Sequence, residues 1–226
     1  MADVTLQQLL EAGCHFGHQV RRWNPAMTKY IYGARDGVHV FDLVKTKAGL
    51  DEAAAFVKTT ASQGGKVLFV GTKRQVAEIV KASAVAAGMP YITQRWLGGT
   101  LTNYVEIMKR INKMKKLKDQ REKGELKKYT KYEQLQIDRD IAKLERFLGG
   151  LVSLEKLPEA IFVVDTHKED VAVQEAIKMK IPVVGLVDSN ANPAGIKYVI
   201  PTNDDAVGAV TLMVNTISDA IQNSKS

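Results

Sequence analysis

The sequence predicts an α/β fold in which a parallel β-sheet carries helices on both faces, a Rossmann-like three-layer arrangement. The strongest observation lies in residues 157–193, where apolar runs at 160–164 and 183–187 enclose an amphipathic helix. Residues 66–87 repeat the pattern, with one apolar run followed by a helix. Continuous apolar runs are typical of strands buried on both faces, and strand–helix alternation builds a parallel sheet between two helical layers.

The first elements of the chain are predicted to be a short helix and a hairpin. Thr5 and Gln8 have the spacing of a capping box, which predicts a helix over residues 6–12. Residues 30–32 and 38–41 are short β-prone runs that flank a glycine-containing turn, and they predict a small β-hairpin.

Residues 13–25 lie between these elements and lack the period of a helix or a strand. Their glycines and proline are typical of a surface loop or arm. Arg21 and Arg22 are candidates for contact with nucleic-acid phosphates, with Trp23 as a stacking or packing platform. The alternative is a solvated turn without a binding role.

A strand at 66–71 is predicted to lead through Lys73 and Arg74 into a helix over 72–87, before a short strand at 91–93. The start of a helix favours a bound phosphate. The glycine-rich fingerprints of nucleotide-binding loops are missing from the sequence, so a nucleotide cofactor is not supported. Both cations suit the phosphates of a nucleic-acid backbone equally well.

Residues 94–103 connect the sheet to the next helices. Arg95 and Trp96 stand beside two consecutive glycines, Gly98 and Gly99, so a charge and an aromatic face adjoin a backbone that a partner can approach closely. Both side chains are candidate nucleic-acid contacts. The alternative is a hinge with a packed tryptophan.

Residues 104–148 are predicted to form an antiparallel coiled-coil helical hairpin that protrudes from the α/β domain and turns near Gly124. Apolar residues recur at steps of three and four in both halves, which is the spacing of a coiled-coil seam. The predicted organisation is one α/β domain built from residues 1–103 plus 149–226, with 104–148 as an insertion.

The predicted hairpin is also the most basic part of the chain. It carries 14 basic and 8 acidic residues, an excess that accounts for nearly all of the net charge of +7. Lys109, Arg110 and Lys113 on its first helix are candidate nucleic-acid contacts. We expect one face of the hairpin to rest on nucleic acid and another to remain free for a protein.

Acidic residues follow the core strands and precede a closing helix, predicted over 206–221 after an edge strand at 198–200. If the N-terminal loop folds over the strand ends, His18, Asp188 and Asp204 are placed to share a divalent metal ion, zinc or magnesium. The alternative is that these are ordinary hydrogen-bonding residues. No cofactor is required by any other feature of the sequence.

The composition is that of a globular protein with a basic surface. The chain has 226 residues, 45% of them hydrophobic, with 32 Lys and Arg against 25 Asp and Glu. This balance favours polyanionic partners. Cys14 is the only cysteine, no stretch reaches the roughly 18 apolar residues of a membrane span, and no signal-peptide pattern opens the sequence. A cytoplasmic protein without a membrane partner is expected.

Several of these segments together resemble the bacterial ribosomal protein S2 family of the small subunit. The resemblance is carried in order by HFGHQVRRWNP, YIYGARDGVHVFDL, LFVGTKRQ, RWLGGTLTN, LPEAIFVVD, IPVVGLVDSNANP and IPTNDDA. It implies an α/β domain with a protruding coiled-coil hairpin that binds 16S ribosomal RNA. It also implies contacts with other small-subunit proteins, including help in docking the large messenger-binding first protein. Some members have a longer acidic C-terminal extension, which is not expected here because the sequence stops at NSKS.

Two other classes of protein compete with this interpretation. A Rossmann-like enzyme that handles phosphosugars or nucleotides would use the strand-end carboxylates, but the phosphate-binding fingerprint is missing. A coiled-coil adaptor that binds no RNA would leave the basic loops unexplained. The resemblance therefore favours a ribosomal protein with no small-molecule substrate.

Overall fold

The computed structural model describes residues 4–224, which form one parallel sheet, one smaller antiparallel sheet and the helices around them. The strands in this part of the chain are β1 (Phe16–Gln19), β2 (Ile31–Arg35), β3 (Val38–Phe41), β4 (Val67–Val70), β5 (Tyr91–Ile92), β6 (Ala160–Val163), β7 (Val183–Val187) and β8 (Tyr198–Pro201). The helices are α1 (Leu6–Glu11), α2 (Leu43–Ser62), α3 (Ala77–Ala87), α4 (Tyr104–Glu122), α5 (Lys131–Leu148), α6 (Asp170–Lys178) and α7 (Val207–Gln222).

The larger sheet has five parallel strands in the order β5-β4-β6-β7-β8. The chain first moves outward from β4 to β5 and then returns to the other side of β4 to add β6, so strand order reverses between β4 and β6. Helices cover both faces, which confirms the predicted three-layer α/β class. No helix within residues 4–224 combines the length and the apolar character needed to cross a membrane.

Alternate residues of each parallel strand supply two separate cores. Phe69 and Phe162 point to one face, meet edge to face with ring centroids 5.3 Å apart, and pack with α2, α3 and α7. Leu68 and Ile161 point to the other face and pack with α6 and the base of the α4–α5 hairpin. This double burial explains why the strands appear in the sequence as unbroken apolar runs.

The predicted capping box at Thr5 and Gln8 is formed, and a second capping box opens α5. The Thr5 side chain accepts from the Gln8 amide while the Gln8 side chain accepts from the Thr5 amide, and Thr130 and Glu133 repeat the arrangement at the start of α5. Each box satisfies N–H groups that the first turn of a helix leaves without partners. The start of both helices is therefore encoded locally.

The expectation of an irregular loop over residues 13–25 is wrong in part. Phe16–Gln19 forms the edge strand β1, which pairs with β3 at Phe16↔Val40 and Gln19↔Val38. The register shifts between these two pairs, and the strand is only four residues long. Such a short and irregular strand has no alternation of apolar and polar residues for a sequence pattern to detect.

Helices α4 and α5 form an antiparallel hairpin whose turn passes through Gly124 in the left-handed conformation (φ 72°). Ion pairs Lys118–Glu145 and Arg121–Asp138 cross between the helices. At the base, Ile107, Ile111 and Leu148 belong to the core on the α6 side of the sheet. The base of the hairpin therefore shares its core with the α/β domain, and the division at 104 and 148 stays a prediction.

Candidate nucleic-acid interface

Six charged residues meet where the parallel strands end, and we call them the carboxylate network: His18, Lys73, Asp165, Asp188, Asp204 and Asp205. The Lys73 Nζ lies 2.8 Å from Asp165 Oδ2, 2.6 Å from Asp204 Oδ1 and 2.7 Å from Asp205 Oδ1. Burial alone would lower the pKa of Lys73, but the charge of Asp204 and hydrogen bonds to these carboxylates outweigh it and raise that pKa. The charge of Lys73 is already compensated by three carboxylates, which does not favour its predicted contact with a phosphate; that contact stays a prediction.

His18 joins the N-terminal segment to this network. Its Nδ1 lies 3.0 Å from Asp188 Oδ1 and its Nε2 lies 3.4 Å from Asp205 Oδ2. The hydrogen bond to Asp188, supported by the charges of the aspartates, raises the pKa of His18 against the effect of burial. The His18 amide also donates to Ser189 Oγ (2.8 Å) and the Asn24 amide to the Ser189 carbonyl (2.7 Å). These bonds fasten the segment that carries Arg21 and Arg22 to the edge of the sheet.

The predicted metal site at His18, Asp188 and Asp204 is not supported by this geometry. The three side chains do come together, as the sequence suggested, but the ammonium group of Lys73 already lies between the carboxylates. In the described stretch 4–224 no group of three His, Cys, Asp or Glu side chains is arranged to hold a metal ion.

Asp204 is the most perturbed member of the network. The residue is 1% exposed, and its Oδ2 has no hydrogen-bond partner. Burial, with the charges of Asp165 and Asp188, raises the pKa of Asp204 to about 8. Four carboxylates face only two cations here, and a proton on Asp204 reduces the excess negative charge.

The crevice between β4 and β6 is filled by protein side chains. In doubly wound enzymes this point, where strand order reverses, holds the ligand. Here Glu169 is buried and accepts from the Thr72 amide and the Thr72 hydroxyl, beside the Lys73–Asp165 pair. Burial raises the pKa of Glu169, although the bonds from Thr72 oppose it. The alternative of a phosphosugar or nucleotide enzyme therefore loses its expected binding site.

Arg21, Arg22 and Arg74 are exposed near the same edge of the sheet. Arg21 Nε donates to Gln19 Oε1 (3.0 Å), and none of the three arginines forms an ion pair with another residue of the described chain. Trp23 is half-buried, with its ring centroid 5.0 Å from that of His39. The arginines are thus available to a phosphate, whereas Trp23 serves as a packing platform.

Trp96 is an internal anchor and not an exposed contact, so the alternative of a packed tryptophan is confirmed. The side chain is 7% exposed, and its Nε1 donates to Glu175 Oε1 (3.0 Å). Glu175 also accepts from the amides of Gly99 (2.7 Å), Leu101 (2.9 Å) and Thr102 (3.0 Å), and from the Thr102 hydroxyl (3.1 Å). One carboxylate on α6 thereby holds the whole 96–102 loop.

Sequence reasoning missed the role of Glu175. Burial would raise the pKa of Glu175, but the hydrogen bonds from the loop and from Trp96 outweigh burial and lower it. The available signal was its position on α6, one residue before the buried Ala176 and three after the buried Ala172. A carboxylate on the apolar face of a helix requires buried donors.

The 96–102 loop, α4 and α5 enclose a groove of about 480 Å³, which we call the arm groove. Its rim carries Arg95, Arg110, Lys113 and Lys143, with Asp140 as the one carboxylate among the lining residues, and its floor is formed by Leu97, Leu144, Phe147 and Leu148. The structure therefore brings three of the predicted contacts, Arg95, Arg110 and Lys113, into one place. Lys109 does not line the groove and instead pairs with Glu106 on its own helix (2.6 Å).

Comparison with known proteins gives a consistent result. The family described as "Ribosomal protein S2" matches residues 9–224. A relative from Roseiflexus sp. (strain RS-1), named "Small ribosomal subunit protein uS2", is 51% identical over 217 residues, which is 96% of this chain and 83% of that relative.

Proposed function

The chain belongs to the ribosomal protein S2 family, and from this premise we propose that it binds 16S ribosomal RNA mainly through the basic rim of the arm groove. It is a structural protein of the small ribosomal subunit and not an enzyme. The surface that contacts the RNA is inferred from the exposed basic side chains that form no ion pair with a carboxylate.

The observation that carries the proposal is the cluster of four unpaired cations on the groove rim. Arg95, Arg110, Lys113 and Lys143 are exposed, and none of them forms an ion pair with a carboxylate in residues 4–224. Cations that line one groove repel one another, and a polyanion relieves the repulsion. Arginine in particular matches phosphate geometry with two parallel hydrogen bonds. The rim therefore fits an RNA backbone.

A second contact is proposed at the edge of the parallel sheet. Arg21 and Arg22 are held there by the bonds of His18 and Asn24 to Ser189, and Arg74 lies in the turn after β4. Because the segment is fastened at several points, its arginines lose less conformational freedom on binding than those of a free arm would. This set supports backbone contacts that orient the protein on RNA.

The tip of the α4–α5 hairpin is proposed as the surface that helps to dock the large messenger-binding protein of the small subunit. Tyr129, Tyr132 and Leu135 are 41%, 71% and 47% exposed, although they are apolar or aromatic. Exposed aromatic side chains of this kind are enriched in protein–protein interfaces. The tip lies beyond the groove along the hairpin, so RNA at the base leaves it accessible.

Incorporation into ribosomes tests the RNA-binding proposal. A rim variant with Arg95→Gln, Arg110→Gln and Lys113→Gln is expressed with a tag beside the untagged protein, and sucrose gradients measure its share of the small subunits. We expect the rim variant to be displaced by the untagged copy and to leave subunits at lower salt.

A control variant removes the same amount of charge elsewhere. Arg35→Gln, Lys58→Gln and Lys178→Gln change exposed cations that lie outside the groove. If the control variant is displaced as strongly as the rim variant, total charge and not the groove decides binding, and the proposal is wrong.

A further inference from the structure

The floor of the arm groove is apolar, which contact with phosphates alone does not require. Leu97, Leu144 and Phe147 are partly exposed beneath the cationic rim, and Leu148 closes the bottom. The Arg146 guanidinium lies over the Phe147 ring, 5.6 Å from its centroid, so that ring is partly covered from one side. A groove with an apolar floor and a cationic rim best fits a ligand that has an apolar face and negatively charged groups on either side of it.

We propose that the arm groove takes one unpaired nucleotide of the RNA, with its base on the floor and its flanking phosphates on the rim; this inference rests on the proposed function. Only an unstacked base exposes an apolar face to a protein, because paired bases in an RNA helix are covered by their neighbours. The volume of about 480 Å³ is in the range of sites for small ligands, roughly 300–1,000 Å³, and suits one nucleotide.

Asp140 indicates how the base is held in the groove. It is exposed, lines a groove with four cations, and yet forms no ion pair with any described residue. A carboxylate among phosphate-binding cations weakens phosphate binding, unless it accepts a hydrogen bond from the ligand. Base amino groups are the donors that carboxylates read, as in the pairing of Asp or Glu with the cytosine amino group. The groove therefore fits a base that turns an N–H donor toward Asp140, either the amino group of cytosine, adenine or guanine or the ring N–H of guanine or uracil.

Substitution of Asp140 distinguishes base insertion from phosphate contact, because the two predict opposite changes in the affinity for RNA. Small subunits stripped of this protein are titrated with the purified full chain, wild type or Asp140→Ala. If the groove holds only phosphates, removing the carboxylate strengthens binding. If the carboxylate reads a base, binding weakens by about fivefold or more.

Filling the groove supplies a second test. Leu144→Trp occupies the floor without changing charge, and we expect at least about tenfold weaker binding to the stripped subunits with an unchanged salt dependence, a loss within the range of base-stacking contributions. Ala142→Trp on the exposed outer side of α5 is the matched control and should bind normally. Thermal unfolding confirms that each variant is folded. Base-specific chemical probes should show one unpaired base that the wild-type protein protects and Leu144→Trp does not.

Each other outcome overturns the inference in a recognisable way. If Asp140→Ala binds the stripped subunits more strongly and Leu144→Trp binds them normally, the groove holds phosphates only. In that case the proposed function still stands, provided that the rim variant binds more weakly than the wild type. Normal RNA binding of Leu144→Trp with loss of a neighbouring protein from the subunit means that a protein segment occupies the groove. A rim variant that binds normally contradicts both the inference and the proposed function.

Discussion

Replacing Glu175 with alanine should destabilise the whole α/β domain, because this carboxylate holds the loop between Trp96 and Thr102 on α6. Two of its donors, the Trp96 indole and the Leu101 amide, are buried, so they lose their partner without gaining water. Each buried donor left unsatisfied costs about 1–3 kcal/mol. The remaining donors, at Gly99 and Thr102, are only partly buried and can turn to solvent.

We therefore expect Glu175→Ala to lower the free energy of unfolding by about 4 kcal/mol, or the melting temperature by roughly 8–16 °C for a domain of this size. Glu175→Gln keeps the shape and one accepting oxygen, so its loss should be about half as large, roughly 2 kcal/mol. Arg95 immediately precedes this loop, so both variants should also bind small subunits more weakly.

The stability lost in Glu175→Ala should become smaller as the pH falls. Hydrogen bonds lower the pKa of Glu175 in the folded protein below its value in the unfolded chain. The carboxylate then contributes its stability above the unfolded pKa and loses it as the pH falls through the folded pKa. The stabilities of the wild type and Glu175→Ala should converge in acid.

Urea unfolding followed by circular dichroism measures these differences. Gln174→Ala is the matched control, since this exposed neighbour bonds only to Asp170 on its own helix, and it should change stability by less than about 0.5 kcal/mol. A loss below about 1 kcal/mol for Glu175→Ala would refute the role assigned to this carboxylate, given the cost of even one unsatisfied buried donor.

Three further predictions follow from the carboxylate network, the N-terminal arginines and the hairpin tip. The pKa of Asp204 is raised from 3.8 to about 8 in the folded protein, so the free energy of unfolding of the wild type should fall as the pH rises between these two values. Asp204→Asn should flatten this dependence of stability on pH. A wild-type stability that rises over the same pH range would contradict the prediction. Arg21→Gln with Arg22→Gln should weaken binding to subunits and lower its log–log salt slope by about 1.5, without changing the melting temperature; an unchanged slope would remove these contacts. Replacing residues 122–137 with a short glycine linker should keep cooperative unfolding and RNA binding but reduce docking of the messenger-binding protein, and loss of the cooperative transition would show that the tip is needed for folding.

The parallel sheet was predictable from the sequence because its strands are buried on both faces. The runs at 160–164 and 183–187 correspond to β6 (Ala160–Val163) and β7 (Val183–Val187) almost residue for residue. The edge strand β1 was not predictable, since a four-residue strand with a register shift has no period.

The candidate site was predictable only where a side chain stays on the surface. Arg95 and Arg110 were identified as exposed cations, and folding placed them on one rim. The internal partners of Lys73 and Trp96 were not predictable because they lie far away in sequence: Asp204 is 131 positions from Lys73, and Glu175 is 79 positions from Trp96. A local sequence pattern cannot reveal a buried partner that lies so far away along the chain. The charged and aromatic residues of these two segments therefore predicted surface contacts, although the side chains of Lys73 and Trp96 have internal partners.

Binding of the purified chain to 16S ribosomal RNA across a range of potassium chloride concentrations tests whether the rim of the arm groove contacts the RNA backbone. Each phosphate contact contributes about 0.7–0.9 to the log–log salt slope, so losing Arg95, Arg110 and Lys113 together should lower the slope by about 2. We expect this decrease for the rim variant and little change for the control variant. Equal slopes for the rim variant and the wild type would show that the rim makes no phosphate contacts.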